Sequence, residues 1–379
     1  MSFTIILVRY FRSVRRRSFI KIFRQYSVCR SIAIVIILLL FLSLFLFFFY
    51  AILIFHFNYC CYNPSDVIIS LTTTPKRFPY ELPITIHSLL TQTILPKEIR
   101  IYLSPTTNVI KQTNLTLDYL KKYIKQIDRS SVIGKLFDKL VQLRMEEEDY
   151  GPATKFLPVI KEFHSLSINI SQSQPIMICD DDHYYHPHTI STLIQYATQY
   201  KNSIIGLRGW RIREDLYWGV GGQEEIFYHI IESARLSNMY RVGVVTANNA
   251  YLIRPSFFDS HIYLDFNQAP ADIRRVDDIW LNGYASKRNI SRFVVPTCCR
   301  SISVTRTHEL ENYLISHHMS RSSANDHALK WFNQTWEKDL WYRFNGQNRP
   351  KYRSWWSKIY REWLNIILRL RFIIYYGFV

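Results

Sequence analysis

The stretch PIMICDDDHYYHP, from Pro175 to Pro187, decides the fold class of this 379-residue chain. Its apolar run, residues 176–179, indicates a buried strand that ends abruptly in three carboxylates, Asp180, Asp181 and Asp182. Adjacent anions repel one another, so either positive charge lies among them or all three face water. The stretch therefore predicts either a cation site at the end of a buried strand or a solvated acidic turn.

Strands and helices alternate in the sequence on both sides of this stretch. The predicted strands are DVIISLTTT from residue 66, KEIRIYLSP, KLVQLRM and PIMIC, and the predicted helices are LPITIHSLLTQ, residues 116–130, ATKFLPVIKEFHSL and PHTISTLIQYATQY. This alternation predicts an α/β domain over residues 66–300, with a mostly parallel sheet and helices on both faces. Ligands of such sheets bind beyond the carboxyl ends of the strands, where we expect TTTPKR and DDD to lie.

The N-terminal part of the chain predicts a membrane anchor. Residues 32–57 carry no charged side chain apart from His56, and about 20 apolar residues span a bilayer as a helix. A signal peptide is the alternative, but its apolar core is usually about 7–15 residues long and small residues follow at a cleavage site. We therefore expect an uncleaved transmembrane helix at residues 31–57.

The charge of the flanking residues predicts the orientation of this anchor. Residues 1–30 contain eight lysines and arginines and no acid, which is almost half of the net charge of +17, and positive flanks stay cytoplasmic. We expect a cytoplasmic basic tail at residues 1–30, a stem at 58–65 and a lumenal domain, in a type II protein of the Golgi or ER membrane. This topology argues against nucleic acid as a partner, whereas an anionic small substrate is compatible with the basic composition.

Cysteines and glycosylation sequons give information on the part of the chain that is predicted to be lumenal. Cys60 and Cys61 lie in the predicted stem and could link two chains as a disulfide-bonded homodimer, and the sequence has no CxxC that would indicate a zinc knuckle. Four Asn-X-Ser/Thr triplets begin at Asn114, Asn169, Asn289 and Asn333, all beyond the predicted anchor. They agree with the expectation of a lumenal glycoprotein.

The carboxylate triplet is the first candidate site. Asp180 and Asp182 bracket one residue at the end of a strand, so both can turn toward one point. Two carboxylates together with phosphate oxygens suit a hard divalent cation such as Mg²⁺ or Mn²⁺. The solvated acidic turn remains the alternative, because a bare D-x-D is common.

The second candidate precedes the triplet in the sequence. Gly151-Pro152 opens a predicted helix whose first turn contains Lys155, and a helix N-terminus with a lysine suits a diphosphate. The alternative is an ordinary surface helix with a solvated lysine.

The third candidate is APADIRRVDDIWLNGY, residues 269–284. Asp277 and Asp278 begin a predicted helix, where carboxylates commonly act as caps. The functional alternative is that one of them is a general base for an attacking hydroxyl. Trp280 could stack on a sugar, but such a tryptophan is more often part of a core. The stretch LRGWRIRED, residues 207–215, could line an acceptor site or form an edge strand and loop.

Four stretches together resemble a known enzyme family. VIISLTTTPKRF, DYGPATKFLPVI, ICDDDHYYHP and RRVDDIWLNGYASKR, in this order and spacing, are similar to those of GT-A-fold glycosyltransferases of the family-2-like kind. The resemblance covers residues 66–300 and implies a Rossmann-like nucleotide-sugar-binding domain. It implies a nucleotide sugar, such as a UDP-sugar, as the donor.

The resemblance also implies roles for single residues. Those expected at the donor are Thr72, Thr74, Arg77, Lys155 and Asp181. Asp180 and Asp182 would hold Mn²⁺ or Mg²⁺ on the diphosphate. Asp278 would take the place of the catalytic base, although the family pair is more often Glu-Asp, so both Asp277 and Asp278 stay candidates. The QxxRW element of processive members is absent, which argues for the addition of one sugar per encounter.

The C-terminal extension, residues 301–379, carries weaker signals. His308 is a candidate third metal ligand, since a late histidine often completes the metal site of GT-A enzymes. The tail has an apolar stripe that Arg369 and Arg371 interrupt, so it is a poor membrane span. It is expected to be an amphipathic helix that either lies on the lumenal leaflet or packs on the domain.

These patterns predict a metal-dependent, inverting, non-processive glycosyltransferase that acts on a lumenal glycan, protein or lipid. A catalytically silent lumenal binding protein of the same fold is the main alternative. A metal-dependent phosphoester hydrolase would need more histidine and aspartate ligands around two ions than the sequence places together.

Overall fold

The structure is a computed structural model that divides the chain into two compact units, Met1–Asn58 and Tyr59–Val379. It describes residues 31–47, 49–50, 63–105, 116–166, 173–218, 229–306, 312, 315–318, 320–337, 341–342 and 350–377. Residues 31–47 of the first unit form a helix with exposed apolar side chains. Among the described residues, no helix is both long enough and apolar enough to cross a membrane. The basic tail, residues 51–57 of the predicted anchor, and the cysteines at 60 and 61 lie outside the described residues.

The second unit is built on an eight-stranded mixed sheet, counted over the described residues. Its strands are β1 Ile68–Thr72, β2 Glu98–Leu103, β3 Val141–Met145, β4 Ile176–Ile178, β5 Ser203–Gly206, β6 Tyr240–Arg241, β7 Tyr251–Ile253 and β8 Ser291–Val294. Their spatial order is β6-β8-β5-β7-β4-β1-β2-β3. In the run β4-β1-β2-β3, neighbouring strands pair in parallel, and β5 and β8 also pair in parallel. Strand β7 lies between β4 and β5 and is antiparallel to both. The predicted α/β class with a mostly parallel sheet is confirmed.

Helices cover both faces of this sheet. They are α1 Glu81–Leu90, α2 Leu117–Ile127, α3 Ser131–Leu140, α4 Leu157–His164, α5 Thr189–Gln199, α6 His261–Leu264, α7 Asp277–Lys287, α8 Arg321–Trp331 and α9 Trp355–Tyr376. Successive strand side chains point to opposite faces, so Ile68 joins one hydrophobic cluster while Ile69 and Leu71 join the other. Helices α4, α7 and α8 contribute to the first cluster, and α1, α2, α3 and α5 to the second.

Two local predictions were wrong at their boundaries. The predicted strand KLVQLRM begins only at Val141, because its first two residues end helix α3. The predicted helix ATKFLPVIKEFHSL is split: a 3₁₀ turn covers Gly151–Lys155, and α4 begins at Leu157 with Pro158 in its first turn. Proline suits that position, because its missing N–H is not needed there and its φ is already helical.

The stretch LRGWRIRED is an edge strand only in part, because Ile212–Arg213 pairs with Trp341–Tyr342 in a two-stranded parallel sheet. Arg208–Trp210 is the central strand of a small antiparallel sheet, between Ile230–Glu232 and Val244–Val245. This second sheet places residue 208 beside the loop that follows Val245, because the amide of Thr246 donates to the Arg208 carbonyl at 3.0 Å.

The C-terminal helix α9 packs on the domain through one face. The rings of Phe372 and Tyr376 meet the ring of Tyr184 with centroids 5.5 and 5.8 Å apart, and the hydroxyl of Tyr376 is hydrogen-bonded to His87. Of the two sequence-based alternatives for this helix, the structure therefore shows packing on the domain. Another face of α9 stays exposed.

Candidate functional site

The carboxylate triplet follows β4 and is mostly buried. Asp181 and Asp182 are 3% and 7% exposed, so the triplet is not a solvated turn. Arg77 Nη1 lies 2.8 Å from Asp181 Oδ1 and 3.2 Å from Asp182 Oδ2. Lys155 Nζ lies 2.5 Å from Asp180 Oδ1. The positive charge that the sequence requires among these anions is therefore supplied by two basic side chains of the protein.

The turn after β1 positions Arg77. The Thr74 carbonyl accepts the amides of Arg77 and Phe78 at 3.2 and 3.0 Å, which tightens the turn that leads into α1. The Thr72 hydroxyl donates to the Tyr102 carbonyl of β2 at 2.8 Å. Thr72 and Thr74, both predicted to bind the donor, thus shape the strand end that presents the guanidinium to the triplet.

A hydroxyl of α1 fixes the backbone of the triplet from the other side. Thr85 Oγ1 donates to the Asp181 carbonyl at 2.8 Å and accepts the amide of His183 at 3.2 Å. Tyr185 holds the first position, since its hydroxyl lies 3.0 Å from both the amide nitrogen and the carbonyl oxygen of Asp180. Sequence reasoning missed Thr85 and Tyr185, because nothing in their spacing indicates that they reach the triplet.

Lys155 is placed by a glycine turn rather than by a helix N-terminus. Gly151 has a φ of +54°, and a Cβ added there would lie 2.6 Å from Arg275 Nη1, so only glycine fits without strain. The 3₁₀ turn that follows is tied to β1, because Ser70 Oγ donates to the Lys155 carbonyl at 2.6 Å. The predicted first helical turn around Lys155 is therefore wrong, and its side chain is buried instead of facing solvent.

The ammonium group of Lys155 bridges two acidic stretches. It lies 2.5 Å from Asp180 Oδ1 and 2.8 Å from Asp277 Oδ2. Burial alone would lower the pKa of Lys155, but the nearby carboxylates raise it well above its usual value, so the side chain stays charged.

Asp277 and Asp278 begin α7 and point to different partners. The N-cap is Val276, and no side chain caps the helix, so the capping alternative is wrong for both aspartates. Asp277 contacts Lys155, whereas the Asp278 carboxylate accepts the amide of Ala247 at 3.3 and 3.4 Å from its two oxygens. This divergence follows from helix geometry, in which adjacent residues point about 100° apart.

The protonation of Asp278 is unusual. Burial and repulsion by Asp277 raise its pKa to about 8, and the attraction of Lys155 offsets this only in part. Near neutral pH its carboxyl group therefore exchanges a proton with little cost, which is the property required of a general base or acid.

The two buried members of the triplet titrate differently. Burial raises the pKa of Asp181 to about 6 against the attraction of Arg77. Burial opposes the charged form of Asp182 as well, but the hydrogen bond from His183 Nδ1, 2.7 Å away, and the attraction of Arg77 hold its pKa well below its usual range. Thr305 Oγ1 also donates to Asp182 Oδ2, at 2.7 Å.

This arrangement does not fit a metal site shared by Asp180 and Asp182. Both oxygens of Asp182 already have partners, and the Asp180 carboxylate is held by Lys155. Within the described part of the chain, no three side chains of histidine, cysteine, aspartate or glutamate form a group that could hold a metal ion. The third predicted ligand, His308, lies outside the described residues.

Arg208 is a residue of the site that the sequence indicated only as part of an acceptor stretch. Its Nη1 lies 3.4 Å from Thr246 Oγ1, and among the described residues no carboxylate lies within 4.0 Å of its guanidinium nitrogens. Burial lowers the pKa of Arg208, and attraction by Glu232 and Asp278 offsets this in part, so carboxylates lie near the guanidinium although none of those described forms a contact ion pair with it. A half-buried arginine of this kind suits an anionic ligand.

Trp280, the candidate for stacking on a sugar, belongs to the core. It is fully buried, its Nε1 donates to the Ile262 carbonyl at 2.8 Å, and the rings of Phe266 and Phe332 lie against it at centroid distances of 5.3 and 5.5 Å. The core alternative is therefore confirmed for this tryptophan.

The fold and the site define a mixed α/β protein with carboxylates and basic side chains gathered where parallel strands β1 and β4 end. No protein-family model matches the chain, and no curated protein matches its sequence.

The solved structures that are similar to this chain include an apo UDP-glucose pyrophosphorylase, S. aureus TarS and GalNAc-T7. The apo UDP-glucose pyrophosphorylase is 10% identical to this chain, and the matched region covers 72% of this chain and 99% of the pyrophosphorylase chain, with a TM-score of 0.36. S. aureus TarS is 16% identical over 63% of this chain, with a TM-score of 0.33. GalNAc-T7 with UDP, GalNAc and Mn²⁺ is 14% identical over 62% of this chain, with a TM-score of 0.40. This chain spans 61% of the TarS chain and 43% of the GalNAc-T7 chain, and these identities and TM-scores are too low to assign a function.

Proposed function

We propose that this chain is a glycosyltransferase of the GT-A type, which transfers a sugar from a nucleotide-sugar donor to an acceptor hydroxyl. One observation carries the proposal: four stretches that resemble this family in sequence meet at one end of the sheet, joined by Lys155 between Asp180 and Asp277. A structural turn and a helix cap would not need to converge on one lysine.

The donor site is proposed at three basic side chains near the aspartates, namely Arg77, Lys155 and Arg208. Arg208 is the group best suited to the diphosphate, because no described carboxylate forms a contact ion pair with it that a phosphate would first have to break. Arg77 and Lys155 are held by carboxylates and fix the shape of the site. The nucleoside is proposed to lie near Thr72 and Thr74, as the family resemblance implies.

Asp278 is proposed as the general base. Its carboxylate takes the proton of the acceptor hydroxyl while the acceptor oxygen forms a bond to the anomeric carbon. The bond between that carbon and the diphosphate oxygen breaks, the electron pair leaves with the nucleoside diphosphate, and the configuration at the anomeric carbon inverts. Arg208 balances part of the charge that develops on the departing diphosphate. No step is assigned to a metal ion, because the Asp180 carboxylate is paired with Lys155 and both oxygens of Asp182 already have partners.

The setting of this activity is proposed from the sequence. The uncharged run at residues 32–57 and its basic flank favour a single-pass type II protein of the Golgi or ER membrane. The acceptor would then be a lumenal glycan, protein or lipid. The absence of QxxRW from the sequence favours the addition of one sugar per encounter.

A silent binding protein of the same fold is the second candidate. The observation that favours it is the ion pairing of Asp180 and Asp182 with basic side chains, which leaves neither carboxylate ready for chemistry. Asp278 is the residue that separates the two functions, since only a catalyst needs a base of raised pKa beside the donor.

A donor screen tests the proposal. The full-length chain, purified in detergent, is incubated with a panel of UDP-, GDP- and CMP-sugars, with manganese or with EDTA, and free nucleotide is measured for the wild type and for Asp278→Asn. The proposal expects one donor class to be hydrolysed or transferred by the wild type and to remain intact with the variant. If a nucleotide sugar binds and neither protein consumes it, the chain is a binding protein.

A further inference from the structure

Helix α9 carries an exposed apolar stripe beside the face that packs on the domain. The stripe is formed by Trp355, Trp356, Tyr360, Ile366, Leu370 and Ile374. Their exposed fractions run from 38% at Leu370 to 75% at Ile374. At about 100° per residue these side chains fall within one sector of the helix. Large contiguous apolar surfaces of this kind on a folded domain mark interaction sites.

The stripe is distinct from the packing face of the same helix. Leu364, Ile367, Leu368 and Phe372 are buried against the domain and hold α9 in place. The helix therefore does not need the exposed stripe for its own folding, and the stripe is available for a partner while α9 stays docked.

Charge around the stripe favours an anionic partner. Of the six lysines and arginines in residues 350–377, Arg361 and Arg371 are buried, whereas Lys351, Lys358 and Arg369 are exposed, as is the one acid, Glu362. Lys358 and Arg369 are exposed on the side of α9 that adjoins the stripe and lies away from the packing face. This combination of aromatic residues, aliphatic residues and a basic border is typical of helices that lie in the plane of a membrane surface.

We infer that the exposed stripe of α9 binds the surface of a phospholipid bilayer that contains anionic lipids. Tryptophan and tyrosine prefer the headgroup level, where Trp355, Trp356 and Tyr360 would lie, and Ile366, Leu370 and Ile374 would enter the acyl boundary. A second copy of the chain fits less well. An antiparallel pairing of two α9 helices would bring Lys358 of one copy toward Arg369 of the other.

Vesicle binding by residues 59–379 tests this inference without the N-terminal apolar segment. That fragment is expected to fold by itself, because the described members of both hydrophobic clusters lie between Val67 and Trp336. Co-sedimentation is measured with phosphatidylcholine vesicles and with vesicles that also contain phosphatidylserine. The wild type should bind both, and the anionic vesicles more tightly.

Paired variants distinguish vesicle binding by the stripe from non-specific binding. Trp356→Ser with Ile374→Ser should weaken binding to both vesicles by at least about tenfold. Lys358→Glu with Arg369→Glu should weaken binding mainly to the anionic vesicles, by about fivefold per charge. The matched control is Trp331→Ser with Leu264→Ser, which removes one tryptophan and one aliphatic residue that are 46% and 55% exposed elsewhere on the domain. The control should bind like the wild type.

Three outcomes would overturn the inference. The first is a wild-type fragment that binds neither vesicle, and the second is an equal loss of binding in the control. The third is a wild-type fragment whose mass in solution is that of a dimer and which becomes monomeric with Trp356→Ser and Ile374→Ser, because a second copy then covers the stripe. Melting temperatures of all variants show that the fold is retained, as expected for substitutions of exposed residues.

Discussion

Lys155 Nζ lies 2.8 Å from Asp277 Oδ2, so a buried cation after β3 is paired with the first residue of helix α7. The same ammonium group contacts Asp180, the first aspartate of the triplet. It therefore connects two stretches that, taken separately, could have been a solvated acidic turn and a helix cap. Lys155 and Asp277 are both largely desolvated, so removing the lysine leaves a buried carboxylate without a counterion.

Lys155→Met should therefore destabilise the domain. We expect a loss of about 3 kcal/mol in the free energy of unfolding, measured by urea denaturation, since breaking a buried pair leaves an uncompensated charge. The matched control is Lys161→Met in the next helix, whose pair with Glu148 is exposed and should contribute less than about 1 kcal/mol. Equal losses in the two variants would contradict the structural role of Lys155.

The two aspartates of α7 should have different effects when they are replaced. Asp278→Asn is expected to reduce sugar transfer by at least about 100-fold with little change in donor affinity, because a general base acts in the transition state. Asp277→Asn should reduce the melting temperature more than the rate, because it removes one partner of buried Lys155. Steady-state kinetics and thermal unfolding of both variants measure this. The reverse pattern would make Asp277 the base.

Asp278 should also make stability depend on pH. Its pKa is about 8 in the folded protein and near its ordinary value of 3.8 in the unfolded chain, so the folded state binds more protons between these values. Stability from this group is therefore fully present below about pH 4 and is lost as the pH rises through 8. One pKa unit corresponds to about 1.4 kcal/mol. The difference in free energy of unfolding between Asp278→Asn and the wild type should therefore be roughly 2–4 kcal/mol more favourable to the variant at pH 8.5 than at pH 4.5. Urea denaturation at the two pH values measures the gain, and identical pH profiles would contradict the raised pKa.

Arg208→Gln should weaken the binding of a nucleoside diphosphate. Loss of a charge-assisted hydrogen bond to phosphate should raise the dissociation constant of UDP by about 10- to 100-fold in isothermal titration calorimetry. The matched control is Arg213→Gln, because Arg213 is paired with Asp215 at 2.8 Å and lies five residues after Arg208 in the same segment. Unchanged affinity in Arg208→Gln would remove this residue from the donor site, whereas a wild type that binds no nucleotide would count against the enzyme itself.

Divalent cations should stabilise the ligand-free protein little. Binding at the triplet would have to break the pairs of Asp180 with Lys155 and of Asp182 with Arg77. We expect Mn²⁺ to shift the melting temperature by less than about 1 °C, which corresponds to a small fraction of a kcal/mol for a domain of this size. A shift of several degrees that disappears in Asp182→Asn would show that the ion displaces the basic side chains and that the metal site of the family is present.

Several features of this protein were determined by the sequence alone. The alternation of apolar runs predicted the α/β class and the helices α1, α2 and α5, because hydrophobic periodicity reflects the local environment of each element. The same local signals predicted Asp180, Lys155 and Asp278 as candidate site residues, since charged side chains at strand ends and helix starts can be recognised without knowledge of their neighbours.

Only the tertiary structure decided what these groups contact. The sequence offered a metal ion or water as the partner of the triplet, whereas the fold brings Arg77 and Lys155 to it from turns after β1 and β3. It also places β7 antiparallel between β4 and β5, and the loop before β7 supplies the Ala247 amide that Asp278 accepts. Periodicity carries information about burial over a few residues, but the strength of an ion pair depends on a distance between groups far apart in the chain, and that distance is set only when the sheet is assembled.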